Sequence, residues 1–99
     1  MARVIQTFRK DPDELLDYGF DWRSDDLEKP WLADNEYIQT SQWIVPDGLV
    51  NEDESNSIFV TTVWLSGGTV NETYEITNRI VTTAGRRADR TFAIFIEEK

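Results

Sequence analysis

The chain predicts an all-β fold, a sandwich of two antiparallel sheets built from about six to eight strands. Three observations carry this expectation. The stretch Gly67–Ile96 reads as a closing hairpin: an alternating strand over Thr73–Thr82, a tight turn at Thr83-Ala84-Gly85-Arg86, and a second alternating strand over Thr91–Glu97. Turn residues recur along the chain at sandwich spacing. Four Trp, five Phe and three Tyr in 99 residues supply the bulk that a thin two-layer core needs.

Each element follows from local pattern. Arg3–Phe8 alternates weakly and reads as a first strand, within an N-terminal strand or arm over residues 1–12 able to pack on a neighbour. Lys10-Asp11-Pro12-Asp13 ends it, because Pro12 cannot donate to a ladder and restricts the residue before it. Leu16, Tyr18, Phe20 and Trp22 then fall at period two with Asp17, Gly19 and Asp21 between them. That is a half-buried strand with one solvated face. Arg23–Glu36 reads as an acidic loop interrupted by Trp31 and Leu32.

Tyr37–Val45 reads as a strand with Ile38 and Ile44 on one face and Tyr37, Trp43 and Val45 on the other. Val45-Pro46-Asp47-Gly48-Leu49 is turn chemistry. Asn51–Ser57 is polar and acidic and reads as a loop tip. Ile58–Leu65 is β-branched and aromatic throughout, which suits a central strand. In the hairpin, Tyr74, Ile76 and Ile80 with Phe92, Ile94 and Ile96 should face the core together. The four tryptophans, Trp22, Trp31, Trp43 and Trp64, read mostly as core. One domain spanning residues 1–99 is expected.

Composition excludes several chemistries. The chain has no Cys and no His. It therefore has no disulfide, no thiolate nucleophile and neither of the commonest general-base and transition-metal side chains. A net charge of −9 repels a phosphate backbone, so neither nucleic acid nor an anionic membrane is an expected partner. The first residues are too polar for a secretory signal, so use without export is expected.

No motif supplies an active site. Carboxylate pairs at Asp11/Asp13, Asp25/Asp26 and Glu52/Asp53/Glu54 lie in predicted loops of a domain too small for a glycosidase cleft. Asp11, Asp13 and Asp17 cluster oxygens as calcium would want, but lack the glycine and terminal glutamate of an EF-hand loop. No cofactor or metal is expected. Ser66-Gly67-Gly68-Thr69 lacks the Lys of a phosphate loop. Arg79, Arg86, Arg87 and Arg90 form the one basic cluster, suited to pairing with an acidic protein surface.

Several segments together resemble a family of roughly hundred-residue tailed-bacteriophage virion proteins. They are Lys10-Asp11-Pro12-Asp13, Leu16–Trp22, Trp31-Leu32-Ala33-Asp34, Trp43–Leu49, Thr62–Thr69 and Tyr74–Ile80 with Thr83–Arg86. The resemblance runs from about Lys10 to Ile96, and its most specific strings are VWLSGGT and TNRIVTTAGR. The chain departs from the family mainly in the acidic stretch Arg23–Lys29. The resemblance implies an immunoglobulin-like β-sandwich and a structural role as a fibre–tail adaptor, with no catalytic residue to transfer.

The expected function is thus a non-enzymatic virion component, assembled in the host cytoplasm, that attaches fibres to the tail or neck. A cement protein on the capsid exterior is the alternative within the same class, and a carbohydrate- or receptor-binding module the alternative from another. Expected partners are other phage structural proteins and copies of the chain itself. The expected contact residues are Trp31, Asp25, Asp26, Glu52, Asp53, Arg86, Arg87 and Arg90.

Overall fold

A computed structural model describes residues 4–23 and 31–99. Among the described residues there are seven strands and no helix: β1 (Val4–Lys10), β2 (Leu16–Asp21), β3 (Ile38–Ile44), β4 (Leu49–Asn56), β5 (Val60–Gly67), β6 (Thr73–Thr82) and β7 (Arg87–Ile96). They form a four-stranded sheet in the order β1-β7-β6-β3 and a three-stranded sheet in the order β2-β5-β4. The expected two-layer sandwich is present, and β5 is a central strand as its apolar sequence implied.

One pair departs from the all-antiparallel expectation. β1 runs parallel to β7, with Phe8 opposite Ile94 and Lys10 opposite Ile96. The turn after Lys10 sends the chain across to the other sheet, so the first and last strands lie side by side without a hairpin between them. The junction is fastened where they end. The Glu97 amide donates to the Lys10 carbonyl at 2.9 Å, and the Lys99 amide donates to Asp11 Oδ2 at 2.9 Å.

The segment Asn51–Ser57 is not a loop tip. Leu49–Asn56 is an edge strand paired antiparallel to β5 along its length. Only Leu49 is buried; every later residue of the strand is exposed. The backbone ladder needs no apolar side chain, and from Val50 onward the side chains of this edge strand are open to water. Polar, acidic residues there also blunt the free edge.

Strand β3 corrects a second expectation. A register shift between Ile38 and Thr40 breaks the alternation. Ile38 and Trp43 are therefore both buried, while Ile44 faces out. A bulge changes which face the following residues take.

The core has two parts. The larger gathers Tyr18, Trp43, Leu49, Val63, Leu65, Ile76, Phe92, Ile94 and Ile96. Phe92 lies at its aromatic centre, stacked on Tyr18 at 5.3 Å and edge-on to Phe8 and Phe20. The smaller gathers Trp22, Leu32, Ile38 and Ile80, and Phe20 packs against both. The hairpin face Ile76, Ile80, Phe92, Ile94 and Ile96 points inward as its period required. Trp22 and Trp43 are buried and Trp31 packs against the smaller core, in line with tryptophans that are mostly core; Trp64 is the exception, on the outside of the three-stranded sheet and 39% exposed.

A polar link crosses between the layers. Asn78 on β6 accepts at Oδ1 from Trp22 Nε1 (3.0 Å) and from Thr61 Oγ1 on β5 (2.7 Å). Its Nδ2 donates to Ser41 Oγ and the Gln42 carbonyl. The amide is fully buried and uses both its ends, which suits a fixed sheet-to-sheet distance.

Candidate functional site

The expected contact residues divide into an internal clamp and an open acidic edge. The clamp lies where the β6–β7 hairpin meets the chain leading into β3. Asn35 adopts a left-handed conformation (φ 64°), tolerated by a short polar side chain. The turn it makes lets the Glu36 amide donate to the Ala33 carbonyl, and brings Glu36 Oε1 within 3.0 Å of the Ala33 amide. Glu36 thereby points inward beneath the hairpin turn.

There the carboxylate is enclosed. Arg86 Nε donates to Glu36 Oε2 at 2.8 Å, and Arg86 Nη2 donates to Oε1. Thr82 Oγ1 donates to Oε2 at 2.5 Å. The Arg86 hydrogen bonds, opposed by burial and helped by Thr82 and Ala33, hold the Glu36 carboxyl down at about 2. The Arg86 guanidinium also lies 4.0 Å from the Trp31 ring centre, and its Nη2 donates to the Trp31 carbonyl. Trp31 in turn stands edge-on to the buried Trp22 at 5.2 Å.

Trp31 and Arg86 are thus brought together as expected of a site, but each occupies the other. Arg90 behaves similarly: its guanidinium lies 4.2 Å from the Trp22 ring centre, and Nη1 donates to the Asp21 carbonyl. Arg87 is exposed at the start of β7. Glu52 and Asp53 lie on the exposed edge strand β4, where Ser66 Oγ donates to Glu52 at 2.5 Å. Asp25 and Asp26 lie outside the described residues.

The Asp11–Asp17 segment makes a turn in which the Asp11 and Glu14 carboxylates are engaged by the chain itself. Asp11 accepts from the backbone amides of Asp13 and Lys99, and these hydrogen bonds lower its pKa. Glu14 accepts from the Asp11 amide at 2.8 Å and pairs with Lys99 at 2.9 Å. Among the described residues no three acidic side chains converge as metal ligands would.

Sequence reasoning missed three side chains that matter. Glu36 ends the stretch that reads as an acidic loop, and nothing in its spacing marks it as buried. Lys10 is fully buried, its Nζ donating to the Gly67 carbonyl at 2.7 Å and the Asp11 carbonyl at 2.9 Å, and burial pushes its pKa down. Trp64 was legible: it alternates with Val63 and Leu65, both fully buried, and so had to face outward.

Comparison with known proteins gives the following. A comparison with curated proteins found no match. Among solved structures, the solution structure of the PKD domain from KIAA 1837 protein is similar, with a TM-score of 0.50 at 17% identity. The match covers 100% of this chain and 85% of that one and supports the immunoglobulin-like fold alone. A family model described as Podophage GP4 fiber-tail adaptor protein gp77 matches residues 10–95. The match takes in β2 to β6 whole, β7 up to its last residue and the end of β1, together with the Trp31–Glu36–Arg86 clamp, and the chain belongs to this Gp77 family of podophage fiber-tail adaptor proteins.

Proposed function

We propose that the chain is a non-enzymatic structural component of a tailed-phage virion that joins fibres to the tail by protein–protein contacts. The family match over residues 10–95 carries this reading. The architecture suits it. Two sheets locked by a buried aromatic core and by the Asn78 link make a stiff spacer. The clamp holds the hairpin tip in place, so the surfaces at either end keep a fixed relation. Adaptors need this, since contacts repeated around a symmetric assembly add only when their geometry is fixed.

Contact would run through groups that the fold leaves open: the exposed Arg87, the acidic edge β4 with Glu52 and Asp53, and the outer edge of β1 at the margin of its sheet. Trp31 and Arg86 would act from beneath, by fixing the hairpin.

The experiment is quantitative mass spectrometry of purified virions with this chain tagged, joined to a low-resolution map. About a dozen copies or fewer, placed at the tail, are expected of an adaptor in a cyclic assembly. On the order of hundreds spread over the shell would indicate a cement protein. Absence from particles, or normal fibre attachment in particles lacking the chain, would overturn the proposal.

A further inference from the structure

The two sheets carry their charges unequally. The strands of the four-stranded sheet hold Arg9, Lys10, Arg79, Arg87 and Arg90 against Glu75 and Asp89. The strands of the three-stranded sheet hold Asp17, Asp21, Glu52, Asp53 and Glu54 and no cation. Most described cations are already taken: Arg9, Arg23, Arg79, Arg86 and Lys99 are each paired with a carboxylate of the chain. Asp17 and Asp53 have no cation partner among the described residues.

Trp64 stands between those two carboxylates. The register sets Asp17 of β2 opposite Trp64 on one side and Asp53 of β4 opposite it on the other. Directly opposed residues in an antiparallel sheet project from the same face. The outer face therefore presents an exposed indole flanked by a carboxylate on each side. Val50, also exposed, lies further along β4 in register with Ser66. An indole left open at the middle of a central strand does nothing for the core, and aromatic side chains of this kind anchor interfaces.

The chain itself shows what completes such a group. At the clamp, a guanidinium lies on the Trp31 ring and hydrogen-bonds the Glu36 carboxylate. The Trp64 face has the ring and the carboxylates and lacks the arginine. A planar guanidinium suits it better than an ammonium, because it can stack on the indole while its edge meets a carboxylate. A second copy is a poor donor, since a chain of net charge −9 repels itself.

We infer that the outer face of the three-stranded sheet, centred on Trp64 with Asp17 and Asp53, docks an arginine-bearing segment of a partner virion protein. This rests on the adaptor reading and names the chemistry of one partner. Beside Trp64, Asp17 and Asp53 have no cation partner among the described residues, so a basic segment can enter there, while Asp21 at the end of β2 is held by Arg23.

The test uses the full chain, isotope-labelled, and a Thr-Arg-Thr-Arg-Thr peptide, with Lys and Glu versions as controls. Binding should shift the Trp64 indole N–H resonance and weaken as salt rises from about 50 to about 300 mM. The order should be Arg above Lys above Glu. Trp64→Ala, and separately Asp17→Asn with Asp53→Asn, should each lower affinity about threefold or more. Both variants should melt within a few degrees of the parent, because the altered groups are exposed.

Shifts centred elsewhere, equal response to the Glu peptide, or unchanged affinity in the variants would overturn the inference. So would a concentration-dependent dimer that buries Trp64, which would make a second copy the occupant. Virion incorporation separates this from the parent reading. A parent chain absent from particles counts against the adaptor role alone. A parent chain and a Trp64→Ala chain that incorporate and retain fibres equally leave the adaptor role standing and remove this face from it.

Discussion

Replacing Glu36 by Gln keeps the side chain's shape and removes its charge. The effect can be worked out from the clamp. The carboxyl is held at about 2, chiefly by the hydrogen bonds from Arg86, against 4.5 for a free glutamate. An acid with a depressed folded-state pKa contributes stability above its unfolded pKa and loses it as pH falls toward the folded value. At about 1.4 kcal/mol per pKa unit the full shift is worth about 3 kcal/mol. The Arg86 side chain is 46% exposed, and water screens the pair. About 2 kcal/mol remains after that discount.

Denaturant unfolding of the parent and Glu36→Gln chains at pH 7 should therefore differ by about 2 kcal/mol, or about 10 °C in Tm for a chain of this size. The difference should be full above about pH 5 and fall to about half by pH 3. A gap under about 0.5 kcal/mol at pH 7, or one unchanged between about pH 6 and pH 3, would refute the reasoning. Arg86→Ala should be the more damaging change, about 3–5 kcal/mol, because it leaves a buried carboxylate without its cation, whereas Gln leaves a guanidinium half open to water.

Other expectations concern the turns and the core. Gly48 has φ +105°, and a Cβ there would lie 2.7 Å from the Tyr74 ring and hydroxyl, so Gly48→Ala should cost more than about 2 kcal/mol. Gly85, at φ +85° with open space around it, should lose only about 1–2 kcal/mol as Ala, from backbone strain alone. Equal melting temperatures for those two variants would contradict this account. Asn78→Leu should lower stability by about 2–4 kcal/mol, because the Trp22 indole N–H keeps only a 3.3 Å contact to Thr61, and Ser41 and Gln42 lose their donor. Its check is urea unfolding, with near-UV circular dichroism reporting whether Trp22 loses its fixed environment. Phe92→Ala should cost about 3–5 kcal/mol by opening the aromatic centre of the larger core, and a loss below 1 kcal/mol would mean the neighbouring rings collapse into the space.

Much of this protein was settled by local pattern. Period-two alternation in Leu16–Trp22 and Thr73–Thr82, turn chemistry at Pro46–Gly48 and Thr83–Arg86, and the absence of any helical period are short-range properties of the chain. They determined strands, turns and the inward face of the hairpin, because a strand's two faces differ by a single residue step. The family strings between Lys10 and Ile96 added the adaptor resemblance. Tertiary structure decided what depends on neighbours distant in sequence. The polar run Asn51–Asn56 became a strand because β5 offered it a ladder, and the β3 bulge exchanged which of its residues were buried. Glu36 and Arg86, fifty residues apart, met only when the hairpin folded over the turn at Asn35. The same distance effect left Trp64 between two carboxylates from different strands. Charge and burial are properties of a residue's surroundings, and those surroundings are assembled by register and sheet order rather than by adjacency along the chain.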